Sequence, residues 1–146
     1  MTDTYENLPV NVGKLVLSPT RTYAPVVKSI LKEFRSKING MIHCSGGGQT
    51  KVLHFAKEVH IIKDNLFDTP PLFRLIQQES NTNWKEMYKV FNMGHRLEIY
   101  IDEKYAKDLI AISKSFNIDA KIIGRVEMNP CAKLTIKKGT ESFIYG

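Results

Sequence analysis

Residues 37–51 read Lys37-Ile38-Asn39-Gly40-Met41-Ile42-His43-Cys44-Ser45-Gly46-Gly47-Gly48-Gln49-Thr50-Lys51. The apolar, β-branched first part predicts a strand, and the residues after the three glycines fit the start of a helix. Strand, glycine turn and helix in this order are typical of phosphate-binding loops. Glycine has no Cβ, so the backbone reaches positive φ and its N–H groups approach an anion closely. The stretch therefore predicts an anion site at Gly46, Gly47 and Gly48, with the Ser45 hydroxyl as a further donor.

The triple glycine alone does not distinguish a phosphate site from a plain tight turn, because glycines occur at turns with or without a ligand. His43, which precedes the loop, has two interpretations as well. It is either a ligand-facing side chain or a buried strand histidine held by a backbone carbonyl. The choice depends on the rest of the chain.

The composition is that of one soluble globular domain. The chain has 146 residues, of which 42% are hydrophobic and 25% charged, and a chain of this length buries roughly 68 to 70% of its unfolded surface. Cys44 and Cys131 are its only cysteines, and no histidine is spaced to complete a zinc site with them. The apolar runs are too short for a membrane span, and the polar first residues do not form an export signal. We expect a reducing, cytoplasmic compartment and no membrane partner.

The formal net charge of +6 raises the possibility of a nucleic-acid partner. The basic residues alternate with acids, as in Lys57-Glu58, and no aromatic-basic repeat accompanies them. Nucleic acid is therefore an unlikely partner, and a solvated surface explains the charge. A binder of phosphorylated metabolites also needs a basic surface, so charge alone does not exclude that function.

The remaining periodicity predicts an alternation of strands and helices. Residues 1–12 are polar and aperiodic and are interpreted as a linker or trailing segment before a domain at residues 13–146. Strands are predicted at residues 12–18, 59–62, 95–101, 120–126 and 132–137. Helices are predicted around Val26 to Phe34 with Thr20 or Thr22 as cap, and at residues 72–78, 84–91 and 103–116. This order indicates an α+β fold with a mixed β-sheet covered by helices.

Within the strand at residues 95–101, Leu97, Ile99 and Ile101 alternate with Arg96, Glu98 and Tyr100. The alternation predicts a core-facing apolar side and a solvent-facing polar side. Asn92 and Gly94, just before this strand, are compatible with a simple turn, because both residue types tolerate positive φ.

Three separated motifs carry a family resemblance. They are Leu17-Ser18-Pro19-Thr20-Arg21-Thr22-Tyr23, Met41 to Gly48, and Glu86-Met87-Tyr88-Lys89-Val90-Phe91-Asn92-Met93-Gly94, and Pro71 to Gln77 adds a fourth match. In this order the motifs resemble those of the C-terminal half of aminoimidazole ribonucleotide (AIR) synthetases, the phosphoribosylformylglycinamidine cyclo-ligases of purine biosynthesis. The family versions read approximately P-T-R-I-Y, H-x-T-G-G-G and E-M-Y-R-x-F-N-M-G. The resemblance covers about residues 13–128.

The resemblance implies a layered α/β/α domain of an ATP-dependent ligase that makes aminoimidazole ribonucleotide from formylglycinamidine ribonucleotide. ATP and Mg²⁺ are the implied cofactors of the full-length enzyme. In that family an N-terminal ATP-binding domain supplies the acidic metal ligands and forms the homodimer. That domain is absent from this sequence, so we expect no cofactor bound by this part alone and no activity in isolation.

By motif match, the resemblance implies one wall of a substrate and phosphate site, while the catalytic residues remain unknown and no metal ligand is expected. The implied site residues are Thr20, Arg21, His43, Ser45, Gly46, Gly47, Gly48, Asn92, Met93 and Gly94. Arg21 is equally compatible with a surface ion pair or a helix cap.

The chain departs from the family pattern at residues 49–53, where the family carries an aromatic residue, Glu and Asn, and again at residues 95–97. Lys51 at a helix start would bring a positive charge to a phosphate instead. We interpret these changes as a divergent branch of the same activity. Two alternatives remain open. One is a stand-alone anion- or nucleotide-binding module. The other is another ATP-dependent member of the superfamily, related to the kinases and synthetases for thiamine phosphate, selenophosphate or hydrogenase maturation.

Overall fold

The computed structural model describes residues 10–18 and 22–146, and in this part of the chain six strands form two sheets. The strands are β1 (Ile38–His43), β2 (Val59–Lys63), β3 (Leu97–Ile101), β4 (Gly124–Met128), β5 (Lys133–Lys138) and β6 (Glu141–Tyr145). The helices are α1 (Val12–Val16), α2 (Ala24–Phe34), α3 (Pro71–Ser80), α4 (Trp84–Val90) and α5 (Glu103–Ser115). Two 3₁₀ helices, Arg35–Lys37 and Gly48–His54, flank β1.

The smaller sheet pairs β1 with β3 in antiparallel orientation. The larger sheet has the order β4-β2-β5-β6, in which β2 and β5 run parallel and the outer pairings are antiparallel. The predicted α+β class with mixed strand directions is confirmed. The expected single sheet is instead two sheets, because within residues 10–18 and 22–146 β1 and β3 pair only with each other.

The hydrophobic core has two parts, which lie on opposite faces of β3. On one face, Ile99 and Ile101 pack with Val26 and Ile30 of α2 and Leu109 of α5. On the other face, Tyr100 packs against a larger cluster that β1, β2, β5 and α4 contribute: Ile42, Ile61, Met87, Tyr88, Leu134 and Ile136. Both faces of β3 are therefore covered, since successive side chains of a strand point to opposite sides.

This double coverage makes the predicted solvent face of β3 wrong. Glu98 is only 5% exposed. A strand with one buried face shows alternating apolar and polar residues. A strand with two buried faces shows the same alternation when the polar groups on its second face have buried partners. The partners of Glu98 lie far away in the sequence and are described below.

Several predicted elements differ at the ends of the chain. The strand predicted at residues 12–18 is wrong, since Val12–Val16 is a helix whose cap, Asn11, accepts a hydrogen bond from the Lys14 N–H at 2.9 Å. Residues 120–123 lie outside β4, and β6 follows a hairpin turn at Gly139 that the polar sequence did not reveal. The other predicted strands and helices are confirmed, although Gly48–His54 is a 3₁₀ helix. The cap predicted at Thr22 is wrong, because α2 begins after Tyr23 without a side-chain cap, and Thr20, the other predicted cap, lies outside the described residues. In the described ranges, none of the helices combines the length and the apolar character that crossing a bilayer requires.

We expect Ile136→Ala to lower the free energy of unfolding by about 2–5 kcal/mol, because Ile136 is fully buried and the substitution leaves a cavity. Urea denaturation measures the loss. Ile144→Ala is the matched control, since Ile144 lies on the neighbouring strand β6 and is 53% exposed. Equal losses in the two variants would show that β5 is not a core strand.

Candidate functional site

The glycine loop, residues 45–48, connects β1 to the 3₁₀ helix Gly48–His54. It begins with a compact turn in which the Ser45 N–H donates to the His43 carbonyl at 2.8 Å and the Gly48 N–H donates to the Ser45 carbonyl at 3.0 Å. Gly47 adopts a φ of 89°, which lies in the left-handed region where glycine meets no Cβ clash. The triple glycine thus makes the sharp reversal that the sequence indicated.

The amide side of this loop is open, whereas its carbonyl side is occupied. Among the described residues, nothing accepts a hydrogen bond from the amide groups of Gly46 and Gly47. The Gly47 carbonyl accepts two hydrogen bonds from Thr50, one from the backbone N–H at 3.1 Å and one from the hydroxyl at 3.0 Å. Among the described residues, leaving aside the chain neighbours Ser45 and Gly47, no atom lies within 4 Å of the position that a Cβ on Gly46 would take, so there is space for a ligand. Two bare amides beside open space are the arrangement an anion needs.

The segment that leads into the corner at residues 92–94 contacts the end of the glycine loop and Gln49, the residue after it. A Cβ on Gly48 would lie 2.5 Å from the Phe91 carbonyl oxygen, so only glycine allows this approach. The Gln49 side chain donates from Nε2 to the Asn92 carbonyl at 2.6 Å. The loop and the corner, which are far apart in the sequence, therefore form one edge.

Within this corner the backbone, rather than the side chains, faces the loop. The Asn92 Oδ1 accepts a hydrogen bond from the Gly94 N–H at 2.9 Å and so closes its own turn. The Met93 side chain is 1% exposed and belongs to the core. Thr20 and Arg21 lie outside the described residues. His43 is exposed at the end of β1, so the interpretation of it as a buried strand histidine is wrong.

A buried ion pair lies directly behind the loop. Lys63, at the end of β2, is 1% exposed and donates from Nζ to the Glu98 Oε1 at 2.6 Å. Its other two hydrogen bonds go to the backbone oxygen of Gln49 at 2.9 Å and to the Gln49 Oε1 at 3.0 Å. The second Glu98 oxygen accepts from the Tyr100 hydroxyl at 2.7 Å. All three ammonium protons and both carboxylate oxygens have partners, which makes the burial of both charges tolerable.

This polar network affects the ionisation of its neighbours. Burial, assisted by the Glu98 charge, raises the pKa of the Cys44 thiol to about 12, so the cysteine next to the loop is an unreactive thiol. Burial and then Glu98 also raise the pKa of Tyr100 above its ordinary value. Burial lowers the pKa of His95 to about 4, and this effect outweighs the opposing one of Glu98. The ring of His95 is neutral at pH 7, and its Nε2 accepts a hydrogen bond from the Phe67 N–H at 2.9 Å.

Sequence reasoning missed Gln49, Lys63 and Glu98 as determinants of the site. Lys63 ends a strand of mainly apolar residues, and Glu98 was assigned to solvent. The available signal was a pair of opposite charges on two strands. Only the tertiary structure shows that these strands bring the charges together.

The family model for AIR synthase related protein, C-terminal domain, matches residues 2–137. The chain belongs to this family. The domain is 36% identical over 127 residues to a phosphoribosylformylglycinamidine cyclo-ligase of Methanococcus vannielii. The matched region covers 84% of this chain and 36% of that protein. It is 32% identical over 128 residues to the enzyme of the same name from Methanopyrus kandleri. The chain spans 36% of the length of each of these two relatives.

A solved structure supports the fold assignment of this AIR synthase related domain. Escherichia coli HypE, a hydrogenase maturation protein, superposes with a TM-score of 0.59 over 85% of this chain and 41% of that chain. The sequence identity is 16%, so this likeness concerns the fold alone.

We expect Lys63→Met to lower the free energy of unfolding by about 3–5 kcal/mol, because it leaves the Glu98 carboxylate buried without its counter-charge. Replacing Glu98 by Leu in the same chain should recover part of this loss, and urea denaturation of the single and double variants measures it. Arg125→Met is the control, since its ion pair with Asp64 is exposed, and we expect little change. Additive losses in the double variant would contradict a coupled pair.

The His95 environment predicts a pH dependence. Because the pKa is about 4 in the folded state and 6.5 in the reference state, the unfolded chain binds more protons between these values. The His95 contribution is complete above pH 6.5 and is lost as the pH falls toward 4, by about 2 kcal/mol between pH 7 and pH 5. Urea denaturation at both values, compared with His95→Gln, isolates this contribution. An equal slope in the variant would show that another group titrates.

Proposed function

We propose that this domain is the substrate- and phosphate-binding half of an ATP-dependent cyclo-ligase that converts formylglycinamidine ribonucleotide to aminoimidazole ribonucleotide. Family membership and the names of the relatives support the reaction class. The observation that carries the proposal is the pair of amides at Gly46 and Gly47 that have no acceptor among the described residues, in a loop whose last glycine, Gly48, lies against the Phe91 backbone. A phosphorylated ribonucleotide needs such donors at a fixed position.

The loop binds and orients the substrate in this proposal. The amides of Gly46 and Gly47 hold phosphate oxygens, and the Ser45 hydroxyl lies on the same side as an additional donor. Because the loop is fixed from behind, its donors need no reorganisation when charge develops on the substrate, and that is the condition for electrostatic stabilisation. His43 is exposed next to the loop, and the motif match assigns Thr20 and Arg21 to the same site.

ATP and Mg²⁺ belong, in this proposal, to an N-terminal ATP-binding domain, which also forms a homodimer in the cytoplasm. The described residues contain no group of three or more His, Cys, Asp or Glu side chains able to hold a metal. The carboxylate behind the loop, Glu98, is already paired with Lys63. No step of the reaction is therefore assigned to a metal on this domain.

The test combines this domain with the remaining part of the Methanococcus vannielii cyclo-ligase as a separate chain. With ATP, Mg²⁺ and formylglycinamidine ribonucleotide, we expect phosphate release from the mixture and none from either part alone. Turnover by this domain alone would overturn the division of labour. Binding of the substrate phosphate without turnover in the mixture would favour a stand-alone anion-binding module.

A substitution at the open position of the loop tests the site itself. A Cβ at residue 46 has no close neighbour among the described residues, and Gly46→Glu places a carboxylate beside the amides of the loop. In the two-part mixture we therefore expect KM for the ribonucleotide to rise at least about tenfold. Gly46→Gln has nearly the same shape without the charge and is the matched control. Equal KM values for the two variants would place the phosphate elsewhere.

A further inference from the structure

Lys51 is a cation that lies beside the glycine loop. Its Nζ donates to the Ser45 hydroxyl at 2.8 Å. A Cβ on Gly47 would lie 3.5 Å from the Cβ of Lys51, so the lysine stem runs beside the loop backbone. The side chain is therefore bent back onto the loop.

This lysine has a hydroxyl partner and no acidic one. In the described ranges Lys51 takes part in no ion pair, whereas the deeper cation, Lys63, is neutralised by Glu98. The positive charge of Lys51 is thus the uncompensated charge at the loop. A charge kept near two bare amides and away from carboxylates favours binding of an anion.

The Ser45 hydroxyl can also donate a hydrogen bond. Its hydroxyl oxygen accepts from Lys51, and its own O–H is directed to the His43 carbonyl at 3.5 Å, which is a weak hydrogen bond. A phosphate oxygen would be a better acceptor for this proton. The hydroxyl therefore has two functions: it positions the ammonium group and it is a donor.

We propose that Lys51, positioned by Ser45, is the charged ligand for a terminal phosphate monoester at the glycine loop. The inference rests on the proposed function and names the group that this site selects. The available donors are two amides, one hydroxyl and one ammonium group. They match a dianion with three free oxygens better than the singly charged phosphodiester of a nucleic acid.

The test is a titration of the ¹⁵N-labelled chain with ribose 5-phosphate, followed through the amide resonances of Gly46 and Gly47. Ribose is the uncharged control, and dimethyl phosphate is the singly charged one. We expect saturable shifts with ribose 5-phosphate alone. For Lys51→Gln we expect a dissociation constant about tenfold higher, since one charge-assisted hydrogen bond is lost.

Two further variants distinguish a specific contact from general charge. Lys107→Gln removes the same charge from an exposed position on α5 and should change the dissociation constant by less than about twofold. Ser45→Ala keeps the lysine but removes both its positioning contact and the hydroxyl donor. It should weaken binding at least about threefold, because the lysine side chain must then be ordered on binding and one hydrogen bond to the phosphate is lost.

The outcomes separate the two proposals. If wild-type amides shift but Lys51→Gln and Lys107→Gln weaken binding equally, Lys51 is not a ligand, while the loop remains a phosphate site. Equal binding of dimethyl phosphate would overturn the selection of a monoester. If the amides of the unmodified chain do not respond to ribose 5-phosphate, the phosphate site of the proposed function fails, and the assignment of Lys51 fails with it.

Discussion

The buried ion pair between Lys63 and Glu98 holds the parts of this domain in register. Lys63 belongs to the larger sheet and Glu98 to the smaller one, and the two sheets share no strand pairing. Gln49 completes the pair by accepting two hydrogen bonds from Lys63. A buried charge pair costs free energy unless every group has its partner, so an arrangement that separated Lys63 from Glu98 would leave a buried charge unpaired. The pair thus specifies the relative position of three segments.

The glycine loop depends on this inner anchor. Its outer amides stay free because its inner side is already fixed: Gly48 lies against the Phe91 backbone and Gln49 bonds to both Asn92 and Lys63. A loop without such contacts would lose its free amides by folding onto itself, or would have to order them on binding. Fixed donors reduce that cost, which is the advantage of a preorganised site. The buried contacts of Gly48 and Gln49 thus keep the outer amides of the loop accessible.

Local patterns predicted most of the fold. The helical stripe from Val26 to Phe34 and the strand before the glycines follow directly from periodicity, and the motifs around Gly46 and Asn92 indicated the family. The strand predicted at residues 12–18 is wrong because Asn11 caps a helix there. Glu98 was placed in solvent because its partner is 35 residues away in the sequence. Periodicity reports burial on one face, whereas the pairing of distant polar groups depends on tertiary structure.

The departure from the family pattern at residues 49–53 has a structural explanation in the same network. In a 3₁₀ helix, residues two apart point in very different directions, since there are three residues per turn. Gln49 accordingly points inward and is fully buried, while Lys51 reaches back to the loop surface. A glutamine at this inward position requires Lys63 and Asn92 as partners, and Lys63 in turn requires Glu98. Gln49 is therefore part of the buried network with the charges on β2 and β3, whereas the Lys51 ammonium group contacts the loop at Ser45. Gln49 therefore affects the anchoring of the loop, and Lys51 affects the ligand that the loop can bind.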